Sequence, residues 1–208
     1  VGRPAQFSKE AAIAIAMESF WEKGYDGISV SELAAAMSIT RSSFYNCFKT
    51  RDNLFDDVLA LYMKNTPDYF LDGLDPMAPV VPAIRQAFKN LCRDRARDPD
   101  GRGCMIIKCL AQATLAKEPS PRLVRILDAK VDRYELLLKR AASNGEIETP
   151  RDAKLMAQAI TTHMIGINMI CKLVRTEQEL WAIAEAFLSI NGLNAADTGE
   201  TSVKVKPH

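Results

Sequence analysis

The chain has 208 residues, enough for one large domain or a small domain beside a larger one, and enough to bury a real core. Apolar residues make up 48% and charged residues 25%, the balance of an ordinary soluble globular protein. A net charge of +1 excludes a globally basic nucleic-acid binder and leaves room only for a local cationic patch.

No apolar run reaches membrane-spanning length and no signal-peptide pattern is present, so no membrane partner is expected. Five cysteines, at 47, 92, 104, 109 and 171, are odd in number and irregular in spacing, with no CxxC or Cys/His zinc pattern. Reduced thiols and a cytoplasmic location are expected. The chain starts at Val1 and not at Met, so the native start is expected to lie upstream.

Residues 1–7 read as a flexible arm, with Arg3 a candidate for a minor groove. Ser8 is placed to cap a first helix with the apolar stripe Ile13, Ala16, Met17 and Phe20, closed by Gly24. Ser29 and Glu32 form a capping box. Val30, Leu33, Ala34 and Met37 follow at helical spacing. Ser38-Ile39-Thr40 breaks that pattern, and Thr40 opens a second short helix with Phe44 and Phe48 inward. Two short helices on a tight turn form a helix-turn-helix pattern. From Ser38 to Arg51 the charges are Arg41, Lys49 and Arg51, with no acid, which suits a phosphate backbone.

Thr50 caps a longer helix expected to run to about Phe70. The three prolines in residues 72–82 mark a boundary. Helices are then expected over residues 81–97, 104–116, 120–143 and 149–174, and a last one opens with a capping box at Thr176 and Glu179. The last two are apolar on more than one face. Met156, Ile160, Met164, Trp181, Ala184, Phe187 and Leu188 are therefore candidates for a dimer interface. The fold class is all-α, about nine helices. A three-helix helix-turn-helix domain spans residues 1–52, a larger helical domain 53–192, and a flexible tail 193–208.

Gly24-Tyr25, Ser29-Val30, Leu33-Ala34, Ile39-Thr40, Phe44-Tyr45, Phe48, Asp52 and Leu54-Phe55 together resemble the DNA-binding domain of the TetR/AcrR family of transcriptional repressors. The likeness covers residues 7–55. Two positions depart from it: Ser38 stands where a turn glycine is usual, and Cys47 where Tyr or His is usual. The resemblance implies a homodimer paired through its last two helices as a four-helix bundle. It also implies double-stranded operator DNA as partner and a small-molecule effector inside the larger domain. Ser29, Thr40, Tyr45 and Lys49 would hold phosphates, while Arg41, Ser42, Ser43 and Asn46 would approach bases. Candidates to line the effector site are Phe88, Cys92, Cys104, Met105, Tyr134, His163 and Ile167, with Tyr134 and His163 as polar handles.

Gly103-Cys104 falls at an expected helix N-terminus beside Arg102, and both the dipole and the cation would favour a thiolate. The Gly-Arg-Gly-Cys run is similar to a subgroup that includes electrophile-sensing repressors. The alternative is a small buried cysteine that lets helices approach. No catalytic constellation, metal cluster or cofactor motif is found. The expected function is thus a ligand- or redox-responsive repressor. The rival readings are a helical small-molecule enzyme and a non-DNA interaction module on the same fold.

Overall fold

The computed structural model describes residues 8–113 and 120–194. The described residues form α1 (Lys9–Lys23), α2 (Val30–Ala36), α3 (Arg41–Phe48), α4 (Arg51–Lys64), α5 (Val80–Arg97), α6 (Met105–Ala113), α7 (Pro121–Ser143), α8 (Ala153–Ile170) and α9 (Glu177–Ile190), with a 3-10 turn at Tyr69–Gly73 and no strand. The expected arm with Arg3, the far end of the helix thought to reach residue 116, and the tail beyond residue 194 lie outside the described residues.

Most side chains read as caps do cap, although Ser120, expected to cap α7, makes no cap hydrogen bond. The Ser8, Thr40 and Thr50 hydroxyls accept the N–H groups of Ala11, Ser43 and Asn53. At α2 both arms of the Ser29–Glu32 box are closed. Three boundaries differ from expectation. α4 stops at Lys64, where the Asn65 amide donates to the Leu61 carbonyl, and Pro67 bars continuation toward residue 70. α8 begins at Ala153, because Asp152 accepts the Leu155 N–H, and not at Thr149-Pro150; it ends at Ile170, short of residue 174. Thr176 caps α9, but the Glu179 carboxylate takes the Thr176 hydroxyl and not its N–H, so that box is half formed. A cap far off in sequence starts α5: the Glu146 carboxylate, from the α7–α8 connection, accepts the N–H groups of Val80 and Val81 at 3.0 and 2.9 Å.

Two apolar clusters form. The first joins Phe20, Leu33, Phe44, Phe48, Leu54 and Phe55 of α1–α4 with Met105, Ile106 and Cys109 of α6 and Leu123 of α7. The second is built from α5, α7, α8 and α9 around Ile84, Phe88, Tyr134, Leu138, Ile160 and Leu188. Twelve of the largest side chains are less than 2% exposed, at roughly 1.5–3 kcal/mol of burial each.

Candidate nucleic-acid interface

The turn between α2 and α3 sets how α3 projects. Ser38 is left-handed, at φ 57°, and its N–H meets the Ala35 carbonyl while the Ile39 N–H meets the Ala34 carbonyl. That is the double bond of a Schellman closure, in which a serine holds the position that favours glycine. Phe44 and Phe48 then fill the core, at 0% and 2% exposure. With those two inward, Arg41, Ser42, Ser43, Tyr45, Asn46 and Lys49 are all exposed on the remaining surface of α3 and its C-terminus. Tyr45 is held edge-on against Phe44, with centroids 5.5 Å apart.

Several predicted contacts already have intramolecular roles. The Ser29 hydroxyl accepts the Glu32 N–H at 3.2 Å. The Ser29 N–H, its hydroxyl and the Lys23 ammonium hold the Glu32 carboxyl down at about 2. Thr40 and Ser43 share a hydroxyl hydrogen bond of 2.9 Å. Lys49 donates its ammonium to the Asn46 carbonyl at 3.0 Å. Its backbone is also unusual: φ is 65°, ψ is −53°, and the Thr50 N–H reaches the Phe48 carbonyl at 2.7 Å, a γ-turn that launches α4 at once. Arg51 turns away from this face. Its guanidinium donates to the Tyr25 carbonyl and lies 4.1 Å from the Tyr25 ring centroid.

The predicted effector residues do not converge. Phe88, Cys92 and Ile167 are buried in the second core, and Met105 in the first. The Tyr134 hydroxyl is engaged by Asp68 at 3.2 Å and the Met164 sulfur, so it is not an open handle. His163 stacks on Phe187, with centroids 4.2 Å apart, between α8 and α9; burial lowers its pKa despite a hydrogen bond at the Ile183 backbone. Burial pushes the Cys92 thiol up to about 12 and the Cys109 thiol up to about 11. Only Cys104 reaches a cavity among α4, α6, α7 and α8, of about 40 Å³. That cavity is lined also by Lys130, Thr161 and Asn168, which the sequence reading missed. A polar residue on the buried stripe of α8 was the signal for Asn168. Arg102, expected beside the Cys104 thiol, is held by Glu18 and Asp98 and lies over the Trp21 ring. The Cys104 sulfur instead accepts from the Tyr62 hydroxyl at 3.5 Å.

The expected dimer residues divide. Ile160, Met164, Ala184 and Leu188 are at most 3% exposed in the chain's own core, so they face inward and not toward a partner. Met156, Trp181 and Phe187 are partly buried against that core. The exposed apolar stripe of α8 runs through Leu155 and Met169 and continues beyond its end to Leu173, and that of α9 runs through Ile183 and Ile190. Both sides of these helices are apolar, so helical periodicity does not say which side the chain's own core takes.

Contacts between the N-terminal helices and the rest converge on α6. The Trp21 indole N–H donates to the Gly103 carbonyl at 3.1 Å, Lys108 donates to the Glu22 carbonyl, and Gln112 to the Lys23 carbonyl. Gly103, at φ 72°, lets the chain pass close under α8; a Cβ there would lie 2.4 Å from the Asn168 carbonyl oxygen.

Residues 12–58 match the sequence profile described as bacterial regulatory proteins, tetR family. The chain is 25% identical over 197 residues to the uncharacterized HTH-type transcriptional regulator YezE of Bacillus subtilis (strain 168), covering 91% of this chain and 99% of that one. It is 25% identical over 186 residues to the HTH-type transcriptional repressor BdcR of Escherichia coli (strain K12), covering 88% of each. Among solved structures, a cysteine mutant of the TetR family transcriptional regulator CifR, complexed with 26bp double-strand operator DNA, superposes with a TM-score of 0.75 at 24% identity, over 90% of this chain and 98% of that one.

Proposed function

For a chain that belongs to the tetR family of bacterial regulatory proteins, we propose the role of a homodimeric repressor that binds a near-palindromic operator and is released by a small-molecule effector. The observation that carries it is the exposed face of α3. Arg41, Ser42, Tyr45, Asn46 and Lys49 stand on solvent, and the sequence from residue 33 to residue 51 contains no acid. Such a surface suits a major groove: Tyr45, Thr40, Ser29 and Lys49 toward phosphates, Arg41, Ser42, Ser43 and Asn46 toward base edges. The name of BdcR and the operator complex of CifR support DNA as the partner.

We place the DNA-reading unit at residues 1–52 and the effector and pairing unit at 53–192, with α4 joining them. The exposed stripes of α8 and α9 are the proposed pairing face. Twofold pairing fixes the distance between two α3 helices, which is why a palindromic site follows.

Release needs a ligand that binds the DNA-incompetent geometry better, and it shifts the population only by that difference in affinity. The route is short. Asn168 on the cavity wall abuts Gly103, Gly103 holds Trp21 of α1, and α1 packs under the α2–α3 pair. Cys104 lies on the same wall and is partly exposed, so an electrophilic effector would act there and not at the deeply buried Cys92 or Cys109. If Cys104 in the folded protein alkylates no faster than an unperturbed thiol, the electrophile branch falls and the non-covalent one remains.

The experiment is selection of bound sequences from a random duplex pool, followed by footprinting on the DNA upstream of the gene. A protected site with two inverted half-sites is the expected result. Binding without sequence preference would overturn the reading.

A further inference from the structure

We propose that the cavity among α4, α6, α7 and α8 takes a compact, uncharged aliphatic molecule with a hydroxyl head, and that the hydroxyl proton is given to Asn168. This rests on the reading of the larger unit as effector-responsive. Asn168 is 8% exposed. Its Nδ2 donates to the Met164 carbonyl at 2.7 Å, which fixes the orientation of the amide. Its Oδ1 is then a buried acceptor, and among the described residues no group donates to it. A buried carbonyl oxygen without a donor is uncommon in a folded chain, and here, on a cavity wall, a water or a ligand hydroxyl would satisfy it.

The other polar groups on the wall already have partners. The Thr161 hydroxyl donates to the Ala157 carbonyl at 3.0 Å, and the Thr66 hydroxyl to the Met63 carbonyl at 2.9 Å. Lys130 gives one proton to Asp68 at 2.9 Å, and an ammonium has two more donors. The remaining wall is apolar, with Ile106, Ile126 and Met63 among it, apart from the Cys104 sulfur, which the Tyr62 hydroxyl engages. The ligand that completes this set has an apolar body and one group that both donates and accepts: the proton for Asn168 and a lone pair for Lys130. A hydroxyl does both. A ketone has no proton to give, and a carboxylate would set a negative oxygen against the Asn168 oxygen.

Size links the site to regulation. About 40 Å³ holds a water or two, far below the roughly 300 Å³ of a ligand pocket. A ligand must therefore part the walls, and one wall is α6, which carries the hydrogen bonds to α1.

The test is calorimetry on the full chain with cyclopentanol, cyclopentanone and cyclopentanecarboxylate, three probes with one ring and three different heads. Cyclopentanol is expected to bind about tenfold more tightly than cyclopentanone, the factor for leaving one buried acceptor unpaired. The carboxylate is expected to be weakest. Asn168→Leu should bring the alcohol-to-ketone ratio to about one, and the wild-type ratio decides the matter even if that variant does not fold. Equal binding of alcohol and ketone, or no binding of either, overturns the proposal. Fluorescence anisotropy on a selected operator is run in parallel. Asn168-dependent binding of cyclopentanol with DNA affinity unchanged would uphold the ligand class and sink the effector-release reading instead.

Discussion

At the scale of single residues, two positive-φ positions bracket α3: Ser38 at 57° before it and Lys49 at 65° after it. An L side chain in the left-handed region costs about 1–2 kcal/mol, and glycine's extra unfolded-state freedom offsets roughly 0.5–1 of that. Ser38→Gly is therefore expected to stabilise the protein by about 0.5–1 kcal/mol, read as a higher urea midpoint at unchanged slope. Lys49 has a different role. Among the described residues its ammonium reaches a backbone carbonyl and no carboxylate, so it is available to exchange that contact for a phosphate. Lys49→Ala should lower the slope of log K against log salt by about 1, and Tyr45→Ala should weaken all duplexes alike. An unchanged slope would remove Lys49 from the backbone contacts. The positions themselves were legible in the sequence, because Phe44 and Phe48 fix which face of a short helix is left over. The backbone conformation at Lys49 was not, since nothing in Phe-Lys-Thr signals a γ-turn.

At the scale of elements, one buried carboxylate ties the end of α4 to α7. Asp68 is fully buried, and its Oδ2 receives Lys130 at 2.9 Å, Arg133 at 2.6 Å and Tyr134 at 3.2 Å. Burial alone would raise its pKa, but Lys130 and Arg133 outweigh burial and hold the carboxyl below its usual value. Asp68→Asn should cost about 1.5–3 kcal/mol at neutral pH, because Lys130 loses its carboxylate and the half-buried Arg133 keeps only Asp72. A carboxyl depressed in the folded state stabilises above its unfolded pKa of about 4 and loses that contribution as pH falls through the lower folded value. The gap between wild type and variant should therefore hold constant from neutral pH down to about 4 and close below it. A gap that stayed open in stronger acid would show that the charge of Asp68 is not what ties the two helices. This cluster had no sequence signature. Asp68 sits in a Thr-Pro-Asp turn that reads as loop chemistry, and its partners lie more than sixty residues away. The helices were legible because their caps and stripes are local. The start of α5 was legible to within one residue, but its cap was not, because that cap is Glu146, from the far side of another helix.

At the scale of the whole molecule, α7 runs through both cores, and an apolar face of α8 and α9 is left on solvent. On α8 that face runs from Leu155 at 62% exposure through Gly166 to Met169 at 51%, and it continues past the helix end to Leu173 at 80%. A Cβ built on Gly166 would meet nothing within 4 Å, so the middle of the stripe is open to a close helix crossing. In a twofold pair each residue near the axis lies close to its own mate, so one substitution acts twice. Met169→Glu would bring two carboxylates together on an apolar surface, while the chain's own core is untouched because Met169 is outside it. The expected outcome is a monomer by sedimentation at a concentration where wild type is a dimer, with unchanged helicity and melting. Operator affinity should then fall by about 10²–10⁴, the gain that linking two half-site contacts confers, while affinity for an isolated half-site stays as it was. If the variant remained a dimer, pairing would have to use another surface. If it became a monomer yet held the full operator as tightly as before, the two α3 helices would not be acting together, and the length of the operator would need another explanation.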